Sequence, residues 1–153
     1  MLTPESIVHP KLGLLIFDEK SEQWKGKIGE PSVRIGINSI PNAGSNIKNI
    51  LRFIDWYDSN QNSVNKNIVY EIFNHDMVHG EVYIENASAL TSEEYEKEHI
   101  ILMSKIEGSL VLKEIRSFDE KISVWINAGK YTGDHDIKTV FNEKFEILQM
   151  LLM

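Results

Sequence analysis

Residues 74–80 read N-H-D-M-V-H-G, and they hold the spacing in this chain that most resembles chemistry. His75 and His79 stand four apart with Asp76 between them, as in the H-E-x-x-H helices that hold zinc and supply a glutamate base. The matching activity would be metal-assisted hydrolysis, with a third ligand from Glu81, Glu85, His99 or His135. Two features oppose it. Aspartate replaces the glutamate, and no motif marks the third ligand. A helix reaching His79 would also put Asp76 in the middle of the apolar stripe centred between Ile68 and Ile72. An unpaired carboxylate is costly there. The simpler expectation is a helix ending near Asn74, which tolerates a left-handed cap, with histidine suited to the C-terminal dipole.

A second candidate is G-D-H-D at 133–136. On a strand, Asp134 and Asp136 would share one face and His135 the other, and two paired acids can hold a cation or work as an acid–base pair. The competing expectation is a strand-opening aspartate that satisfies a turn, with His135 inward as a hydrogen-bonded core residue. The acidic run S-E-E-Y-E-K-E at 92–98 reads as the solvated first turns of a helix. Its Glu93, Glu94 and Glu96 are also candidates for contact with a partner, as are Asp134 and Asp136. Trp56 and Tyr57 flank a helical stripe, where aromatics serve either as wide core or as interface anchors. No nucleophile elbow, P-loop or dinucleotide-binding glycine pattern occurs.

Composition narrows the classes further. Sixteen Lys and Arg against 23 Asp and Glu leave a net charge of −7 over 153 residues. That balance disfavours nucleic acid and favours a basic protein partner. With no cysteine, disulfides, thiolate nucleophiles and Cys-ligated metals are excluded. The start of the chain lacks the pattern of a signal peptide, and no apolar run reaches the length of a membrane span. The expectation is a cytoplasmic protein folding as a single domain over residues 1–153.

The elements follow from periodicity. Leu14 and Ile16, then Trp24, Gly26 and Ile28 against Gln23, Lys25 and Lys27, then Val33, Ile35 and Ile37 against Arg34 and Asn38, all alternate. They predict a three-stranded antiparallel meander over about residues 12–38. Ile47, Ile50, Leu51 and Ile54 make a helical stripe from a Ser45 cap to about Asp58. After the polar S-N-Q-N-S, Ile68, Val69, Ile72 and Phe73 make a second. Thr91 and Glu94 form a capping-box signature for another helix, ending between His99 and Ile106. Four strands follow: V-L-K-E-I-R-S-F, I-S-V-W-I, D-H-D-I-K-T-V-F and the apolar tail F-E-I-L-Q-M-L-L-M. The expected class is α+β: a three-stranded N-terminal meander, two to three helices and a four-stranded C-terminal antiparallel meander.

The stretches H-P-K-L-G-L-L-I-F-D-E-K-S-E-Q-W-K-G-K-I, L-T-S-E-E-Y and I-R-S-F-D-E-K-I-S-V-W-I-N-A-G-K-Y-T-G-D-H-D-I together resemble uncharacterised bacterial domains. Those domains open with H-P-x-L-G … W-x-G and carry a late G-H-x-I strand. They are similar to immunity proteins of bacterial polymorphic-toxin systems. His9, Pro10, Gly13, Trp24, Gly26 and His135 carry the likeness, while Asp134 interrupts the usual G-H pair. The resemblance implies a protein of the immunity class; with the charge of −7, the expectation is a non-enzymatic, cofactor-free binder that neutralises a cognate toxin by occlusion, an acidic face steering onto a basic toxin surface. The alternatives are a metal-assisted hydrolase using His75 and His79 or Asp134 and Asp136, and a housekeeping protein-interaction module.

Overall fold

The computed structural model describes residues 5–153 except 41, 76, 78–83, 85 and 86. Eight strands form one sheet in sequence order: β1 (Ser6–His9), β2 (Gly13–Asp18), β3 (Gln23–Ile28), β4 (Val33–Asn38), β5 (Val111–Phe118), β6 (Lys121–Asn127), β7 (Ile137–Phe141) and β8 (Ile147–Leu152). Two helices, α1 (Ala43–Asn74) and α2 (Ser92–Ser109), occupy the connection between β4 and β5. Among the described residues no helix is long and apolar enough to cross a membrane.

This architecture corrects the expected pair of separate meanders. The first meander has a fourth strand, because His9 Nδ1 accepts from the backbone N–H groups of Lys11 and Leu12 and turns β1 onto β2. The second has the four strands expected. The two are then fused by a parallel pairing of β4 with β5, Arg34 opposite Glu114 through Ile37 opposite Ser117. Parallel neighbours need a long crossover, and the helical segment supplies it. Alternation cannot announce this join, since β4 and β5 lie more than seventy residues apart in the chain.

The helices also differ from expectation. One helix, kinked at Asn60, replaces the two read over residues 47–58 and 68–73. Residues 58–63 are all exposed, so no neighbour imposes a stripe there and the apolar period vanishes while the helix continues. Asn60 donates its side-chain amide to the Trp56 carbonyl at 2.8 Å, which satisfies an acceptor at the break. The N-cap is Asn42, whose side-chain Oδ1 accepts from Ser45 N–H, one turn before the expected cap. The helix does end at Asn74, although its cap, His75, is not left-handed (φ −97°). The Thr91–Glu94 capping box forms as read, and α2 continues to Ser109.

The core lies between one sheet face and α1. Ile35, Ile37, Ile115, Val124 and Phe141 meet Ile50, Phe53, Ile68 and Ile72, all nearly inaccessible. On β3, Trp24 and Ile28 face the same way and are half-buried, with Lys25 and Lys27 exposed on the other face, as alternation requires. Gln23, expected in water, is half-buried as well.

At the sheet end where β4 and β5 both finish, the buried Asn46 of α1 makes three contacts. Its Nδ2 donates to the carbonyls of Asn38 (2.7 Å) and Ile40 (3.2 Å), and its Oδ1 accepts from Asp119 N–H (3.1 Å). Asp119 and Glu120 form the two-residue β5–β6 turn, both at positive φ as a type I′ geometry demands. Asn46→Ala should destabilise the fold by about 2–4 kcal/mol, since it strands two carbonyls and one N–H in the interior. Equilibrium urea unfolding checks this, and a loss under about 1 kcal/mol would contradict the role assigned.

Thr139, on the helix-facing side of β7, buries a hydroxyl with no hydrogen-bond partner. Thr139→Val keeps the shape and removes that cost, so it should raise stability by about 1 kcal/mol in the same assay.

Candidate functional site

Both helices lie on one side of the sheet. α1 crosses β4, β5 and β6, and α2 packs against α1, where His99 meets Phe73 edge-on at 4.8 Å. Among the described residues nothing packs on the opposite face, so its side chains are presented together. Register places them in transverse rows. One row runs Lys27, Arg34, Glu114, Trp125, Lys138, Leu151 from β3 to β8. The next runs Ile16, Lys25, Gly36, Arg116, Ser123, Val140.

A groove of about 680 Å³ opens along these rows, bounded by Leu14, Ile16, Lys27 and Arg116. Gly36 makes its low point. A Cβ there would stand 3.0 Å from Gln23 Oε1 and 3.2 Å from Arg116 Cγ, so the two flanking side chains lean over the strand only because this position is bare. At Gly26, on the helix-facing side, a Cβ would come within 2.8 Å of the Leu14 carbonyl oxygen. The W-x-G spacing therefore serves the close passage of β2 over β3.

The charges on this face are arranged around two acids. Glu114, with 13% of its side chain exposed, takes Arg116 Nε at 2.7 Å and Arg34 Nε at 3.5 Å from opposite sides. Arg116 then lies over the Trp125 ring at 4.5 Å, and Lys138 approaches the same ring at 5.3 Å. Two cations on one indole hold its orientation through the ring quadrupole. Asp18 pairs with Lys25 at 2.8 Å. The Lys25 hydrogen bond, followed by that of the Ser21 hydroxyl, lowers the Asp18 carboxyl from the ordinary 3.8 to about 2 against a smaller opposing effect of burial. Such an arrangement presents fixed charges and an aromatic ring on one surface.

The residues singled out in the sequence are dispersed. His75 Nδ1 lies 2.9 Å from the Glu71 carbonyl and 3.4 Å from its carboxylate, so it serves the end of α1. Asp76, His79, Glu81 and Glu85 lie outside the described residues. Among the described residues no three His, Asp or Glu side chains converge as a metal site would require. Asp134 and Asp136 precede β7 in a turn, with Asp134 at φ 60°, so the expected strand alternation does not apply. Asn127 Nδ2 donates to the Asp134 carbonyl and to Asp136 Oδ1, while His135, expected in the core, is exposed with its Nδ1 2.9 Å from the Met153 carbonyl oxygen. These contacts join the turn to β6 and to the residue after β8.

Glu93, Glu94 and Glu96 are exposed on α2. Glu94 closes the capping box, and Glu93 faces Lys97 at 3.8 Å. Trp56 belongs to the core, packed against Phe53, Phe141 and Phe145. Tyr57 donates to Asn65 Oδ1 at 3.0 Å across the kink, and burial pushes its hydroxyl pKa up. It lines a second cavity of about 500 Å³ between the kink and the β3–β4 turn. Sequence reading missed Trp125, Arg116 and Glu114 as a group. The signal was the charged and aromatic outer set of β5 and β6, whose meaning depends on neighbours that only register supplies.

Comparison of the chain with known family models, curated proteins and solved structures finds no match.

The Asp18–Lys25 pair has a definite pH signature. Because the folded carboxyl titrates below its unfolded value, the pair's contribution is complete above about pH 4 and is lost as pH falls toward about 2. Carboxyl-detected NMR should therefore find Asp18 still ionised at pH 3, and Lys25→Met should move its midpoint up toward 3.8. An unchanged midpoint in that variant would remove Lys25 as the cause.

Proposed function

We propose that this chain is a non-enzymatic binding protein, an immunity-like domain that neutralises a cognate toxin by covering it, and that it makes contact through the uncovered face of the sheet. The observation that carries this reading is Trp125, half-buried and held between Arg116 and Lys138 at the centre of that face. Tryptophan and arginine at the middle of a surface are the residues in which interface energy concentrates. The ion pairs around them set their rotamers in advance, which reduces the ordering cost of association. The exposed apolar side chains of Val8, Leu14 and Ile16 lie on the same face, at its β1–β2 edge. The likeness of the H-P-x-L-G and W-x-G stretches to immunity proteins supports the same class. Trp56 is better assigned to packing, because its ring is committed to the aromatic cluster under α1.

Affinity capture from the organism that encodes the chain tests the reading. The wild-type protein should retain one stoichiometric partner, and Trp125→Ala should lose it with the thermal melt little changed. Glu93→Gln with Glu96→Gln should retain it. The partner, produced alone, should arrest growth, and co-production of the wild-type chain should relieve the arrest. Retention by Trp125→Ala would move the interface off the sheet, and a harmless partner would remove the toxin from the reading.

A further inference from the structure

The face that carries Trp125 has the opposite sign to the protein. The chain as a whole is −7. The outward row positions of β2 to β7 nevertheless hold Lys25, Lys27, Arg34, Arg116 and Lys138 against only Asp18 and Glu114. Lys121 adds a cation at the rim, beside Asp119 and Glu120 of the turn. The excess of acids therefore lies elsewhere, including the exposed Glu93, Glu94, Glu96 and Glu98 of α2.

Within this face the sharpest feature is a like-charge pair. Lys27 and Arg34 are direct cross-strand partners on adjacent strands. Like charges in that position oppose pairing. Arg34 is partly relieved by Glu114, but Glu114 is nearer to Arg116, and among the described residues Lys27 forms no ion pair. One acid thus serves two arginines, and the lysine beside them is left for an external anion. The exposed apolar group Val8, Leu14 and Ile16 lies on the same face next to β3, and Leu14 and Ile16 line the same groove as Lys27 and Arg34.

We infer, resting on the reading that this face is the interface, that it receives an acidic segment of the partner protein in which carboxylates alternate with apolar side chains. Carboxylates would pair with Lys27 and Arg34, and apolar side chains would cover Leu14 and Ile16. Guanidinium and ammonium groups desolvated by such a segment gain more from a carboxylate than they do in open water. A nucleic-acid strand fits less well, because Asp18 and Glu114 sit within the groove and the whole molecule repels a polyanion.

The test uses the full chain and three probes: a capped (Glu-Leu)4 peptide, a capped (Lys-Leu)4 peptide and a ten-nucleotide oligo-dT. The acidic peptide should shift the backbone NMR signals of Lys27, Gly36 and Trp125, with affinity falling as salt is raised. Lys27→Glu should weaken it by about tenfold or more. That variant puts a carboxylate opposite Arg34, so its fold should be at least as stable as the wild type and the loss cannot be ascribed to unfolding. Tighter binding of the lysine peptide, comparable binding of oligo-dT, or full affinity in Lys27→Glu would each overturn the inference. The two fail separately: a captured partner kept by Trp125→Ala overturns the underlying reading, whereas one lost with Trp125→Ala but kept by Lys27→Glu leaves the interface in place and removes only its acidic ligand.

Discussion

One carboxamide closes the central junction of this fold. Asn46 sits where the parallel strands β4 and β5 both end, and it hydrogen-bonds to the chain leaving each of them. Its Nδ2 donates to carbonyls at and just beyond the end of β4, and its oxygen accepts from the first N–H of the β5–β6 turn. A parallel pair cannot be closed by a tight turn, so its register has to be held by something carried on the crossover. Asn46 does this at the first turn of α1, before the helix crosses the sheet. The cost of burying an amide is offset because both donor and acceptor are used, which is the condition under which buried polar groups specify a single arrangement.

Joining two meanders edge to edge has a consequence for the surface. Eight strands side by side form a broad sheet, and a crossover with two helices covers one side of it. The opposite side must then be compatible with water. Here it is built from ion pairs, a tryptophan with two cations and a trough at Gly36. The join also sets which charges meet. Arg34 comes from the first meander and Glu114 and Arg116 from the second, so the Arg–Glu–Arg cluster exists only because β4 pairs with β5.

The residues of the H-P-x-L-G, W-x-G and late G-D-H-D-I stretches divide in the structure between turn-makers and packing positions. His9 closes the β1–β2 turn, Gly13 takes the positive φ that follows it, and His135 contacts the Met153 carbonyl beyond β8. Trp24 packs at a tilt against Phe17 across β2 and β3, and Gly26 lets β2 pass. Such positions preserve a scaffold, whereas the charged rows of the open face lie between them and can vary without disturbing it.

Sequence alone determined what depends on near neighbours. Period-2 alternation identified β2 to β4 and the C-terminal strands, the Thr91–Glu94 box placed the start of α2, and Asn74 marked the end of α1. Each of these is a relation among residues a few positions apart, where backbone geometry fixes which side chains share a face. The absence of cysteine likewise excluded whole chemistries without any structure. Tertiary structure decided the rest. It continued α1 through the exposed residues 58–63, where no packing leaves a trace in the sequence, and it turned the Asp134–Asp136 strand start into a turn. It paired β4 with β5, and so brought Arg34 beside Glu114 and left Lys27 facing Arg34. Which face stays open depends on where a 72-residue connection returns to the sheet, and no local pattern records that.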